Sequence, residues 1–366
     1  MKSFLRFVLK LFLFLVIAAF LISCFTQYIP PSAFSFITLF CLGFPYLFLL
    51  MFILALFFLF MNKRIALLLF ICLLFGYKNF RSTAALNFFS AWSTEKNDSA
   101  LRIMTWNVQD FINLLPQSEV RLSMQQLIKQ YNPDILCVQE FTNVEEGKWK
   151  VSMRKELALL GYNYYIFSDD QLSTSIYDKN VMRGSALFSK QAFTDSGRFN
   201  IHNPVINENA VYAGFVLGNK PLRIYTTHLA SFAFYKDTVP ASGDDIYKLT
   251  YERKRAIEYK LRETEQIHEQ QAAILRNALL KSPYPVIYCG DMNTTSCSYN
   301  YRILKGDLQD AFLEKGSGIG STFYKILPTL RIDVCLADRA LKINQCTVIT
   351  RKLSDHYPIV TDISWK

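Results

Sequence analysis

From Phe34 to Met61 the chain runs 28 residues without one charged side chain, FSFITLFCLGFPYLFLLMFILALFFLFM. A buried core helix is seldom that long or that uniformly apolar, whereas a bilayer span needs about 20 such residues. A second run of the same kind, FVLKLFLFLVIAAFLISCF, covers residues 7–25 and qualifies as well. A third, IALLLFICLLFGY at 65–77, is short. It spans only if the following residues finish it at the interface with Lys78 snorkelling. The expectation is two to three transmembrane helices, at about 7–25, 34–61 and 65–78, in an anchor region 1–80.

Charge sets their direction. Residues 1–90 hold no Asp or Glu and seven basic residues, Lys2, Arg6, Lys10, Lys63, Arg64, Lys78 and Arg81. The positive-inside bias puts the N-terminus and the 62–64 turn in the cytoplasm and residues 26–33 outside. If the third run spans, everything after residue 78 is extracytoplasmic; if it does not, the domain is cytoplasmic. LISC at 21–24 also has the look of a bacterial lipoprotein cleavage box, which would lipidate Cys24 and leave the remainder on the outer side. Of the 40 basic residues, 33 remain beyond residue 90 against 30 acidic ones. The net charge of +10 is therefore mostly N-terminal and is weak support for a nucleic-acid partner.

Eight cysteines show no C-x-x-C and no Cys/His zinc spacing. Cys137, Cys289 and Cys335 fall in strand-like stretches, as small hydrophobes do. Cys297 and Cys346 form one conceivable bridge in an oxidising compartment.

Residues 81–99 turn from aromatic to polar: Phe88, Phe89 and Trp92 resemble an interfacial belt and STEKNDSA a linker. Beyond them strand-like runs recur: LRIMTWNV, DILCVQE, YNYYIF, GSALFSK, AVYAGFVL, LRIYTTHL, PVIYCGDMN, IDVCLA, INQCTVIT and YPIVTDIS. Helical periodicity appears at 118–132, with Val120, Leu122, Met124, Leu127 and Ile128 roughly on one face, and at 251–281. Many strands with few helices between them predict an α+β sandwich, two sheets face to face with helices outside, over 100–366.

Several of those strands end in a polar or ionisable residue: Asn107, Glu140, His228, Asp291 with Asn293, and the Asp355-His356 pair. Asp333 sits inside a strand, where an unpaired carboxylate is costly. Taken singly, each has an ordinary structural reading as a turn residue, a solvated acid or a satisfied core histidine. Together they are the parts of one reaction. Carboxylates and an amide suit Mg²⁺, with Mn²⁺ as a substitute. A histidine held by a carboxylate is a base or acid near neutral pH. Amide and imidazole donors neutralise phosphoryl charge.

The ordered series WN, QE, THL, GDMN, RID and SDHYP resembles the endonuclease/exonuclease/phosphatase (DNase I-like) superfamily over residues 100–366. The resemblance implies a four-layered α/β sandwich and a metal-dependent phosphoric-ester hydrolase. It implies Glu140 as the principal Mg²⁺ ligand, with Asn107 and Asp355 beside the metal. His228 would bond the scissile phosphate and assist the leaving group, and Asn293 would hold the phosphate. Asp291 would orient or deprotonate the attacking water. His356 would act as base or transition-state stabiliser, its tautomer set by Asp333. In the DNase branch the THL histidine has a carboxylate partner on an earlier strand, and KNVMRGSALFSK (179–190) holds none.

Substrate is set by loops, not fold. Residues 168–183 and 231–262 are the candidates, the latter with Phe232, Phe234, Tyr235 and the basic ERKR of 252–255. The leading expectation is a multi-pass protein of a bacterial cytoplasmic (inner) membrane carrying a phosphodiesterase or nuclease. A sphingomyelinase-like or phosphoinositide-type lipid-headgroup hydrolase is the alternative, and a catalytically silent binding module a third. The partners implied are a phosphoester substrate, nucleic acid or lipid headgroup, and the membrane; no protein partner is implied.

Overall fold

The computed structural model describes residues 2–111, 117–143, 151–170, 182–201, 208–232 and 246–366. The chain divides into two compact units. One comprises residues 1–84, 232–269 and 295–302, and the other 85–231, 270–294 and 303–366.

The first unit opens with four helices: α1 (Lys2–Cys24), α2 (Ile37–Met61), α3 (Lys63–Phe75) and α4 (Tyr77–Thr83). Helices α1 and α2 are long and apolar enough to cross a membrane. The third run differs from expectation. It stops at Phe75 and resumes as α4 after a bend of 57°, so it is at most a broken span. The break is at Gly76, where a Cβ would come within 2.8 Å of the Phe20 ring. Asn62 starts α3 by accepting from the backbone amides of Arg64 and Ile65, which stops α2 running on into it. Buried Asn79 donates to the Ser23 carbonyl and the Thr26 hydroxyl and accepts from Gln27, so the polar ends of α1 and α4 satisfy one another.

The second unit is α+β, with two six-stranded sheets. The ten strand-like runs of the sequence all form strands. Among the described residues the strands are β1 (Ala85–Leu86), β2 (Leu101–Asn107), β3 (Ile135–Asn143), β4 (Tyr164–Phe167), β5 (Met182–Ser189), β6 (Ser196–Asn200), β7 (Asn209–Leu217), β8 (Lys220–His228), β9 (Val286–Asp291), β10 (Gln309–Asp310), β11 (Ser317–Gly318), β12 (Asp333–Ala337), β13 (Leu341–Val348) and β14 (Ile359–Trp365). One sheet runs β13-β14-β2-β3-β5-β4 and the other β10-β12-β9-β8-β7-β6. Each has a parallel pair near its centre, β2 with β3 and β8 with β9.

Strand alternation sorts the side chains. Leu101, Ile103, Ile135, Cys137 and Leu187 meet Val211, Phe215, Leu222, Ile224, Ile287 and Cys289 in the core between the sheets. Met104, Trp106, Leu136, Val138 and Phe188 turn the other way. They pack with Met124, Leu127 and Ile128 of α5 (Glu119–Tyr131) and with Met153 and Leu157 of α6 (Met153–Leu159). Val120 and Leu122, expected on that buried face of α5, are exposed. Buried Arg121 takes the position instead. Helix α7 (Ile246–Leu280) covers the second periodic stretch. Its C-terminal part buries Ala272, Leu275 and Leu279 at helical spacing.

Within 81–99, β1 pairs antiparallel with β11, and Trp92 stacks on Arg102 and beside Tyr131. Trp92 is thus part of the sheet unit's packing, while Phe88 and Phe89 are exposed. Arg102 forms a buried two-point ion pair with Asp362, its partner across β2 and β14, at 2.7 and 2.8 Å. Removing one member strands a buried charge, which costs about 3 kcal/mol or more. Asp362→Ala should lower the thermal unfolding midpoint of the full chain in detergent by several degrees. An unchanged midpoint would mean the pair contributes nothing.

Candidate active site

Four of the expected residues lie on strands and follow from alternation alone. Ile103, Thr105 and Asn107 share the inner face of β2. Leu222, Ile224, Thr226 and His228 share that of β8, Ile287, Cys289 and Asp291 that of β9, and Cys335 and Asp333 that of β12. Below the site, Gln139 of β3 donates to Thr105 at 3.3 Å and, across the sandwich, to Thr226 at 3.0 Å. Register then sets three ionisable groups in a row. His228 stands beside Asp291 in the parallel β8–β9 pair, and Asp333 opposite Asp291 in the antiparallel β9–β12 pair.

Glu140 breaks the alternation. Inner-facing 135, 137 and 139 would put it on the helix side. The β3–β5 register slips between Val138 and Phe141, and Glu140 takes φ 51°, left-handed backbone that costs a non-glycine residue on the order of 1 kcal/mol. Phe141 goes to the helix-side core. The Glu140 carboxylate accepts from the Asn107 amide at 3.1 Å, and that same nitrogen reaches Asp291 Oδ2 at 3.1 Å. Asn293, at φ 48°, is a residue type that tolerates this conformation. Its backbone amide donates to Asp291 Oδ1 at 2.9 Å and its side chain to His228 Nε2 at 3.0 Å. Accepting there leaves the proton of a neutral His228 ring on Nδ1.

His356 enters from the loop before β14. Its Nδ1 is 2.8 Å from Asp333 Oδ2 and its Nε2 is 3.6 Å from Asp291 Oδ2. Trp106 donates to its carbonyl at 3.0 Å, and the Phe323 ring lies 4.9 Å from the imidazole. Ser354 fixes the loop by donating to the Asn107 carbonyl. Burial works against a charge on His356, but Asp333 and Asp291, with the Asp333 hydrogen bond and Asp355 behind them, push its pKa up to about 10. Burial would raise Asp291 too. There His356 and His228, the Asn293 amide and Asn107 prevail and hold it below the ordinary carboxylate range. For Asp333 burial prevails, despite His356, and its carboxyl is raised. The trio is therefore a cationic ring between two acids.

Asp291, Asp333 and His356 could each offer one ligand atom within a 4.8 Å cluster. A positively charged imidazole already bonded to one of those acids does not ligate a cation. The oxygens of Glu140 and Asp355 fit a hard cation better. Asp355 is raised by burial, opposed by His356, and raised further by the charge of Glu140. Two acids that repel each other suit a divalent ion.

A carboxylate, Asp170, does lie just upstream of KNVMRGSALFSK. Asp170 bridges to Arg183 of β5 and feels the charge of His228. A Cβ at Gly184 would run into Asp170 and Ser168, so glycine there admits the acid. Phe323 and Asp170 were not singled out in the sequence. STFYK just before RID held the first, and the second lay within the 168–183 stretch named for substrate. Of the two substrate stretches, 171–181 and 233–245, with Phe234 and Tyr235, lie outside the described residues, as do the ERKR side chains. Phe232 is described, and it packs edge-on against His268.

The fold and these strand ends define a phosphoesterase-type α+β protein. The endonuclease/exonuclease/phosphatase family model matches residues 104–356, and the chain belongs to that family. A domain of unknown function matches residues 5–83. Among solved structures, the human Nocturnin catalytic domain with bound sulfate is similar at 20% identity and TM-score 0.53, covering 77% of this chain and 100% of that one. An endonuclease/exonuclease/phosphatase from Beutenbergia cavernae is similar at 19% and 0.53, over 73% and 72%. D. rerio TDP2 complexed with a single-strand DNA product is similar at 15% and 0.51, over 73% and 100%. No curated protein matches.

Asp170 yields a pH prediction. Burial, against the Asn209 amide bond, Ser168 and His228, raises its folded pKa from 3.8 to about 7. The folded state then holds more protons than the unfolded one between those values, so stability is greatest below the lower and falls as pH rises through the upper. Asp170→Asn should flatten the loss of thermal stability between pH 5 and pH 8. An identical slope in the variant would show that Asp170 does not titrate this way.

Proposed function

We propose that the chain is a Mg²⁺-dependent phosphoester hydrolase, a membrane-tethered phosphodiesterase or nuclease that works by in-line attack of water. One observation carries this reading: Asp291 is held ionised at a point reached by Asn107 at 3.1 Å and by His228 and His356 at 3.6 Å each. That is a water-orienting acceptor with Asn107 and His356 beside it as donors suited to phosphoryl oxygens.

Glu140 and Asp355 would hold Mg²⁺ with Asn107 beside it, and the bound ion would supply Lewis-acid neutralisation of phosphoryl charge. The chain's own groups divide the rest. Asp291, below the usual carboxylate range, is a weak base, so it orients the water through a hydrogen bond and takes its proton late. His356, already protonated, is the transition-state stabiliser of the two roles open to it. Asp333 keeps its Nδ1 occupied and its Nε2 toward the site. His228, its Nε2 facing the Asn293 amide, lies on the leaving-group side. Asn293 holds the phosphate.

The neighbours' sulfate and single-strand DNA product agree with a phosphate or phosphodiester ligand. Phe232 is occupied by His268, which gives the lipid-headgroup alternative no support from that residue.

The test uses the full chain, because a fragment beginning at residue 93 would lose β1 and Trp92. In detergent with Mg²⁺ it is offered plasmid DNA, RNA and headgroup-labelled phospholipid or sphingolipid vesicles. Nucleic-acid cleavage removed by EDTA is expected. His356→Ala and Asp291→Ala should each lower the rate by about 10²–10⁴-fold. Glu140→Ala should need far more Mg²⁺. Headgroup release alone would replace the nuclease reading with the lipid one, and full activity in either His356→Ala or Asp291→Ala would overturn the mechanism.

A further inference from the structure

Two thiols outside the active site lie unusually close. Cys41, four residues into α2, and Cys297, four residues after Asn293 in sequence, belong to the same compact unit. Their Sγ atoms are 2.6 Å apart. Another buried thiol pair in this protein, Cys289 and Cys335 on neighbouring strands, sits at an ordinary 3.6 Å. The first pair is nearer a disulfide's roughly 2.05 Å than a contact between free thiols.

The backbone around Cys297 is fixed independently of the sulfurs. Thr26 donates to the Cys297 carbonyl at 2.7 Å, and Arg302 donates to the Gln27 carbonyl at 2.7 Å. The Cys297 thiol itself reaches the Cys41 carbonyl at 3.2 Å. Both cysteines are buried. Two sulfurs and the Thr295 hydroxyl, 2.7 Å from Cys41 Sγ, are too few ligands for a structural zinc site, which takes four. Cys346, the partner conceivable from sequence, instead takes the hydrogen bond of Thr361 within the sheet unit.

We propose that Cys41 and Cys297 form a disulfide that ties the second apolar helix to the segment following the GDMN loop. The positive-inside pattern supports the compartment. Lys63 and Arg64 lie beyond the far end of α2, so the Cys41 end faces away from the cytoplasm, where disulfides persist. The bond forms by thiol–disulfide exchange during folding, before the pair is covered. One thiol, as thiolate, attacks the disulfide of an oxidising protein or small-molecule disulfide, RSSR, expelling one RS⁻. The second thiol, also as thiolate, then attacks the mixed disulfide and expels the other RS⁻. Two protein thiols lose two electrons and two protons in all, and RSSR becomes two RSH. The link spans 256 residues of chain.

The experiment uses the full chain with a specific protease site inserted between Glu95 and Asp98, expressed in bacterial membranes. Cells are lysed in N-ethylmaleimide to block free thiols, and the protein is cut and run on denaturing gels with and without reductant. Without reductant the two pieces should migrate as one band, and with reductant they should separate. Cys41→Ser and Cys297→Ser should each separate without reductant, whereas Cys346→Ser should stay joined. The wild-type comparison stands even if a variant folds poorly. Wild-type pieces that separate without reductant, or a link that persists in Cys297→Ser, would overturn the proposal.

Discussion

The inner face of the second sheet carries two carboxylates, Asp291 and Asp333, directly opposite each other on adjacent strands and fully buried. Like charges so placed destabilise a sheet unless a cation lies between them. His356 is that cation. It is contributed from the other sheet, immediately before β14, and everything that holds it there serves the pairing. Trp106 grips its carbonyl, Ser354 ties its loop to the end of β2, and the Tyr357 amide donates to the Thr322 carbonyl. The edges of the two sheets are thus joined at the site by a charge cluster, with Gln139 bridging to Thr226 beneath it.

Much of this was legible because strands have a period of two. Once LRIMTWN, LRIYTTH, VIYCGD and IDVCLA are strands with apolar inner faces, Asn107, His228, Asp291 and Asp333 must point into one sandwich. What alternation could not yield is Glu140, whose use depends on a bulge that leaves no mark in PDILCVQE. Asp170 was illegible for another reason. Its role depends on an isolated bridge to Arg183 and on the space left by Gly184, both tertiary facts. Strand β6, SGRFN, escaped notice because it alternates exposed and half-buried residues without an apolar face.

In the helical unit, composition located the apolar runs but not their breaks. Hydropathy is blind to Gly76, whose importance lies in the approach of the Phe20 ring, and so read 65–78 as one segment. The same holds for Cys297. Its sequence neighbourhood, TTSCSY, has nothing apolar about it, and it is tertiary hydrogen bonds that join that segment to Thr26 and Gln27 after α1 and to Cys41 in the first turns of α2.

The cost of the Glu140 conformation bears on what the site is for. Left-handed backbone at a glutamate persists only where the surroundings insist on it. Burying Phe141 among Phe111, Phe167 and Phe188 supplies that insistence on one side of the bulge. On the other side the carboxylate meets Asn107 and the field of Asp355, a neighbour that repels it. Unbroken alternation would turn this glutamate toward the apolar helix-side core, which Phe141 fills instead. The bulge sets a third acid beside the Asp333–His356–Asp291 cluster, joined to it through the Asn107 amide. The Asp291–Asp333 pair has an imidazolium within the cluster, whereas Glu140 meets the Asn107 amide and the repulsion of Asp355. On the proposed reading, that separation keeps the group that would stabilise phosphoryl charge apart from the group that would bind the metal.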